Sequence, residues 1–189
     1  PNKLWHADIT IYNLNGIKYY IYFLIDNYSR FILNYHVSKK KSGIIWKNLL
    51  SEAIDKYKPN DAKLLVDDGS ENNNKEVHRL LAMNEDRLQK LIAQKDITFS
   101  NSMVEALNKM VKRYLRQMSI HSEKSLKEAV DFTVHDLRYV RPHYSLDGST
   151  PIEVFENRPW NKTALLEQMK RAREQRITQN QKNRCKSCK

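Results

Sequence analysis

From Leu4 to Tyr12 apolar and polar residues alternate, with Trp5, Ala7, Ile9 and Ile11 on one side and His6, Asp8 and Thr10 on the other. A period of two predicts a strand with one face in a core. Asn15-Gly16 follows, the dipeptide of a tight two-residue hairpin. Residues 18–26, KYYIYFLID, are almost continuously apolar and aromatic, as in a central strand covered on both faces. Asp26-Asn27-Tyr28-Ser29 carries turn chemistry. RFILNYHV at 30–37 then returns as a third strand, so the chain opens with an antiparallel meander.

The period lengthens after Ser42 or Gly43. Ile45, Leu49, Ala53 and Ile54 form the apolar stripe of a helix running to about Lys58, where Pro59-Asn60 ends it. Lys63–Val66 predicts a fourth strand, parallel to the first because a helix intervenes. Residues 72–95 show helical spacing (Val77, Leu80, Leu81; Leu88, Leu91, Ile92) and predict one or two short helices. Ile97–Phe99 predicts a brief fifth strand.

A helix from Ser102 to about Met118 turns Val104, Leu107, Val111, Tyr114 and Met118 inward and carries Glu105, Asn108, Lys109, Lys112 and Arg116 on its other face. The next, Ser125 to about Val140, has Leu126, Val130, Thr133, Leu137 and Val140 inward. A loop at 141–150, one helical turn at 151–155 and a basic, weakly amphipathic helix at 163–178 complete the chain. The order β-β-β-α-β-α-β-α-α predicts an α/β fold. Its centre is a mixed five-stranded sheet, a three-strand meander plus parallel strands, flanked by helices and followed by a basic helical C-terminal extension.

Composition narrows the picture. A chain of 189 residues with 40% hydrophobic content can bury one substantial core. It has no apolar run approaching the ~18 residues of a membrane span, and no signal peptide is visible. Starting on Pro1 rather than Met, it reads as a piece of a longer protein. Thirty-three Lys and Arg against 22 Asp and Glu give +11. The segment from Lys162 to Lys189 holds nine basic and two acidic residues, so most of the excess lies in that tail. Such a concentration suggests a polyanion partner, nucleic acid first, and Lys170, Arg171, Arg173 and Arg176 are its candidate phosphate contacts. The plainer alternative is a solubilising tail. Cys185 and Cys188 make one C-x-x-C; a structural zinc site needs four ligands, so the pair reads as inert unless a second chain completes a site.

The chemistry centres on three acids. The fourth strand ends on Asp67 and Asp68, Asp8 lies in the first strand, and Glu105 opens the helix after Ser102. A phosphodiester resists attack because nucleophile, phosphate and leaving group are all electron-rich, and two divalent cations relieve this by charge. Mg²⁺ wants oxygen ligands and keeps several waters, so two or three carboxylates suffice. If the first and fourth strands are neighbours, Asp8 and Asp67 share one site, and Glu105 completes it. Lys109, Lys112 and Arg116 beside Glu105 would meet a DNA backbone. Each residue also has a bland explanation: a solvated strand acid, loop acids, a lysine-bearing helix surface, and for Glu105 a capping box with Ser102.

These segments resemble the catalytic core of the DDE transposases and retroviral-type integrases, most closely those of bacterial insertion sequences. The matching stretches are WHADIT around Asp8, LIDNYSRFI at 24–32, VDDGSE at 66–71, SNSMVEALNKMVK at 100–112 and RPHYSLDGSTPIEVF at 141–155. The resemblance implies a ribonuclease H-like core over 1–140 and a C-terminal extension over 141–189, with a helix-turn-helix domain preceding the core in full-length relatives. It implies Mg²⁺-dependent cleavage of transposon ends and strand transfer into target DNA, with Mn²⁺ able to substitute and two ions per site. Asp8, Asp67 and Glu105 fall on the catalytic, metal-binding acids, and Lys112 on a lysine near the DNA. Asp26 and Arg30 match a structural signature of the turn. Assembly as a homo-oligomer on DNA in the bacterial cytoplasm, at the nucleoid, follows from the same resemblance.

Three departures stand out. Asp68 replaces the usual Asn or His; Asp67 is taken as the ligand because Gly69 then keeps its place in the motif. The interval from Asp67 to Glu105, 37 residues, is slightly long, and Asn72 stands where an aromatic often follows. Two other functions fit the same fold: a catalytically silent DNA-binding or assembly module, and a simple ribonuclease H-like nuclease.

Overall fold

The computed structural model describes residues 1–67, 74–92, 102–158 and 161–182. Strands β1 (Leu4–Leu14), β2 (Ile17–Asp26) and β3 (Ile32–Ser38) form the meander. Asn15 and Gly16, at φ 50° and 80°, form the left-handed turn that joins β1 to β2. Helix α1 (Gly43–Tyr57) leads to β4 (Ala62–Val66), then α2 (Lys75–Ala82) and β5 (Leu88–Ile92). Helices α3 (Ser102–Arg116), α4 (Glu123–His135), α5 (Pro151–Phe155) and α6 (Lys162–Lys182) follow. The sheet runs β3-β2-β1-β4-β5, with β1 parallel to β4 and β4 parallel to β5. The parallel placement of the fourth strand beside the first is therefore as the intervening helix predicted.

Each face of the sheet has its own core. Trp5, Tyr22 and Leu24 pack against Trp46 and Leu50 of α1 and Val77 of α2. Ile21, Phe23 and Ile25 meet Val104 and Val111 of α3 and Val130 of α4 on the other face. β2 is thus buried on both sides, as its continuous apolar sequence required. α1 begins at Ser42, whose side chain accepts from the Ile44 N–H, and ends at Lys58 in the left-handed region.

The structure departs from the sequence pattern in three places. The polar side of β1 does not face water: His6 and Thr10 are only 3% and 2% exposed, because α3 and α4 cover that face. Leu88–Ile92 is a strand paired in parallel with β4, not a helix. Five residues are too few for period alone to separate the two, and the open edge of β4 supplies backbone partners. The predicted strand Ile97–Phe99 lies outside the described residues, as do Asp68, the Cys pair and the Ser102 side chain. Finally, α4 stops at His135 and widens into a π-turn, Asp136–Val140, which leaves Val140 57% exposed rather than inward. There Arg138 donates to the Ile32 and Leu33 carbonyls at 2.6 and 3.0 Å, tying the turn to β3.

After this turn, Phe155 of α5 stacks on Phe31 at 4.7 Å and holds the segment against the α1 face. α6 differs: every described side chain from Asn161 to Gln181 is exposed. Among the described residues, no helix is long and apolar enough to cross a membrane.

Candidate active site

Strand pairing brings the first two acids together. Ala7 of β1 pairs with Val66 of β4, and both side chains belong to the α1-face core. Asp8 and Asp67 are the residues that follow this last pair on two neighbouring segments whose strands lie about 4.8 Å apart, and Asp8 turns toward the α3 face, where Asn108 meets it. Asp8 is half-buried and Asp67 exposed.

α3 supplies the third element. The Asn108 side-chain amide donates to Asp8 Oδ2, so the helix is fixed over β1 at this point. Glu105 lies three residues earlier, one turn toward the helix N-terminus, and is exposed. Asn108 Oδ1 is buried with no hydrogen-bond partner among the described residues. Lys109, Lys112 and Arg116 continue the exposed face of α3 as a cationic stripe.

The acids are neighbours without being a closed cage. Among the described residues, no three His, Cys, Asp or Glu side chains converge on a point that could hold an ion. Carboxylates at ligand distance repel one another unless a cation lies between them. The donor types nonetheless suit a hard divalent cation: carboxylate oxygens on two strands and a helix, and one buried amide oxygen lacking a partner.

Lys170, Arg171, Arg173 and Arg176 are exposed along α6, which among the described residues makes no extensive contact with any strand. Asn108 departs from the outward face predicted for it: its side chain turns to the sheet and bonds Asp8, and the i, i+3 relation to Glu105 is the signal in the sequence that could have found it. The Asp26–Arg30 turn is structural in its details. Asp26 is fully buried and accepts from the Asn2 N–H at 2.7 Å and from the Ser29 N–H and hydroxyl at 2.8 and 2.6 Å. Arg30 adopts φ 62° and turns its guanidinium back onto the carbonyl and side chain of Asn27.

A mixed sheet with two strand-borne acids, crossed by a helix bearing a third, is the architecture of the DDE transposase and integrase catalytic cores. The integrase core domain family matches residues 1–105, more than half of the chain, and the chain belongs to that family. It is 28% identical over 157 residues to the InsK transposase of insertion sequence element IS150 from Escherichia coli K12. That match covers 81% of this chain and 54% of InsK, so the chain spans about half the length of that relative. The HTLV-2 integrase catalytic core domain, solved in complex with magnesium, superimposes with a TM-score of 0.62 at 17% identity, covering 80% of this chain and 94% of that one. The catalytic core of BIV integrase gives 0.61 at 16%, covering 83% and 95%. These structural likenesses establish the ribonuclease H-like fold.

Proposed function

We propose that the chain cleaves DNA at transposon ends and joins them to target DNA, with Asp8, Asp67 and Glu105 holding two Mg²⁺ ions. The observation that supports this reading is the register of β1 and β4, whose last pair, Ala7 and Val66, immediately precedes Asp8 and Asp67, with the helix that bears Glu105 bonded to Asp8 through Asn108. Bound cations supply positive charge to the attacking and leaving oxygens of the phosphodiester, and Mn²⁺ can replace Mg²⁺ in that role. The chain's own residues do the rest. Strand β1 and the end of β4 hold the two aspartates against rigid backbone, and the Asn108 amide, bonded to Asp8, fixes the orientation of that carboxylate. Lys109, Lys112 and Arg116 draw the DNA backbone along α3 toward Glu105, and the cationic face of α6 adds phosphate contacts away from the acids. Together these orient the scissile phosphate; assembly of several copies on DNA belongs to the same reading.

The test is Mn²⁺ binding, followed by water-proton relaxation, to the wild type and Asp67→Asn, each with a short duplex, alongside a strand-transfer assay. Binding that Asp67→Asn removes, with loss of joined product, supports the reading. Equal Mn²⁺ binding, or none, points to a silent DNA-binding module of the same fold. Cleavage without any joining points to a simple nuclease.

A further inference from the structure

A cleft of about 460 Å³ opens beside the acid site, between α3 and the loop that follows the π-turn. Its floor is apolar, made by Ile25, Met103, Leu107 and Met110. Ile25 pairs with His6, so the cleft floor lies one strand across and about 7 Å along the sheet from the backbone of Asp8. Arg30 and Arg141 line the cleft. Both guanidiniums are held in place. Arg30 is pinned to Asn27. Arg141 donates to the Tyr114 hydroxyl and lies over its ring at 5.4 Å, while that hydroxyl donates to Asp136 of the π-turn. At the mouth stands Tyr144, 99% exposed on a single 3₁₀ turn. His143 caps that turn by accepting from the Ser145 N–H at 3.2 Å.

Tyr144 alone would need no explanation; an exposed ring beside an apolar floor and two fixed guanidiniums, however, is an arrangement on which a base can stack. The partner must bring a flat apolar face for Tyr144 and the floor, and negative charge for two fixed guanidiniums. A nucleotide has both, and a peptide apolar segment lacks the second. Burial and the charge of Arg30 hold the pKa of His143 below its usual value, so at neutral pH its ring adds hydrogen bonding rather than charge.

We infer that this cleft receives one unstacked nucleotide of the processed DNA strand, its base against Tyr144 and its phosphate on Arg30 and Arg141. The inference rests on the DNA activity proposed above and adds a subsite to it. The unstacked base leaves the duplex close to the acids and fixes the strand beside them.

The test uses the 189-residue chain with a duplex carrying a short single-stranded tail, and with 2-aminopurine in the tail. The tail should tighten binding about tenfold over the blunt duplex, and the 2-aminopurine emission should be quenched on binding. Tyr144→Ala should remove both effects and Tyr144→Trp keep them; the side chain is exposed, so neither change threatens the fold. A tail that adds nothing, or a quench that survives Tyr144→Ala, overturns the subsite while blunt-duplex binding and strand transfer leave the main reading standing. Self-association that Tyr144→Ala abolishes without changing DNA binding overturns it in favour of a second copy as the occupant. Absence of all DNA binding overturns both.

Discussion

Asp26 is the last residue of β2 and Asp67 the first residue after β4, so an aspartate stands at the end of each of these two strands of one sheet. The surroundings differ completely. Asp26 is fully buried and spends both oxygens on three donors within its own turn and the N-terminus. Asp67 is exposed at the end of a parallel strand, next to Asp8 and below α3. A carboxylate enclosed by N–H and O–H groups is a structural anion with no capacity left for a ligand. A carboxylate exposed at the end of a strand, with another acid on the neighbouring strand, is the one that the proposed metal site uses. The proposed function therefore needs Asp67, whereas Asp26 serves its turn, and substitution can separate the two.

The largest effect should come from Asp67→Asn. It removes one ligand charge with little change of shape, so metal-dependent cleavage should fall by at least about a thousandfold. Its thermal unfolding transition should match the wild type. A variant that unfolds instead would place Asp67 with Asp26, among the residues that hold the structure.

Asp26→Ala should act in the opposite way. It leaves the Ser29 N–H, its hydroxyl and the Asn2 N–H without their acceptor, two of them buried, at a cost of about 3 kcal/mol. Urea unfolding would show this as a lower midpoint with unchanged slope. The folded fraction should retain its affinity for Mn²⁺ and DNA. A loss below about 1 kcal/mol would mean that water replaces the carboxylate.

The sequence is most legible where local pattern and packing agree. The meander, the Asn15-Gly16 turn and the two-sided burial of β2 were written in adjacent residues. The pairing of β1 with β4, which aligns the acids, followed from one helix-length connection. What failed was local information about non-local cover. Nothing near His6 or Thr10 says that α3 and α4 lie over them, and nothing within Leu88–Ile92 says that β4 has an open edge. The cleft was illegible for the same reason: Arg30, Met103 and Tyr144 lie far apart in the chain, and Tyr114 reads as an ordinary inward helix residue.

A smaller effect concerns α6. Because its described side chains are exposed and its ion pair, Lys162 with Asp147, lies on the surface, deleting 162–189 should lower the unfolding midpoint little. If Lys170, Arg171, Arg173 and Arg176 meet phosphates, the slope of log affinity against log salt should fall by about 3. Affinity at physiological salt should drop at least about tenfold. An unchanged salt slope would reduce the helix to a solubilising tail.

The smallest effect is a pH dependence of stability traceable to His6. Burial lowers its pKa from 6.5 and Arg30 adds to this, outweighing the opposite pull of Asn27 and of Asp26. The folded state therefore binds this proton less readily than the unfolded chain does. The associated stability is complete above pH 6.5 and is lost as pH falls toward the depressed native value. His143 has the same sign, so both residues steepen the decline on the acid side. His6→Gln cannot titrate and should flatten part of that decline, with the remainder carried by His143. Denaturant midpoints of wild type and variant, compared at neutral pH and in mild acid, isolate the term. Parallel declines would mean that His6 gains its proton in the folded state without hindrance, and that the covered face of β1 admits water.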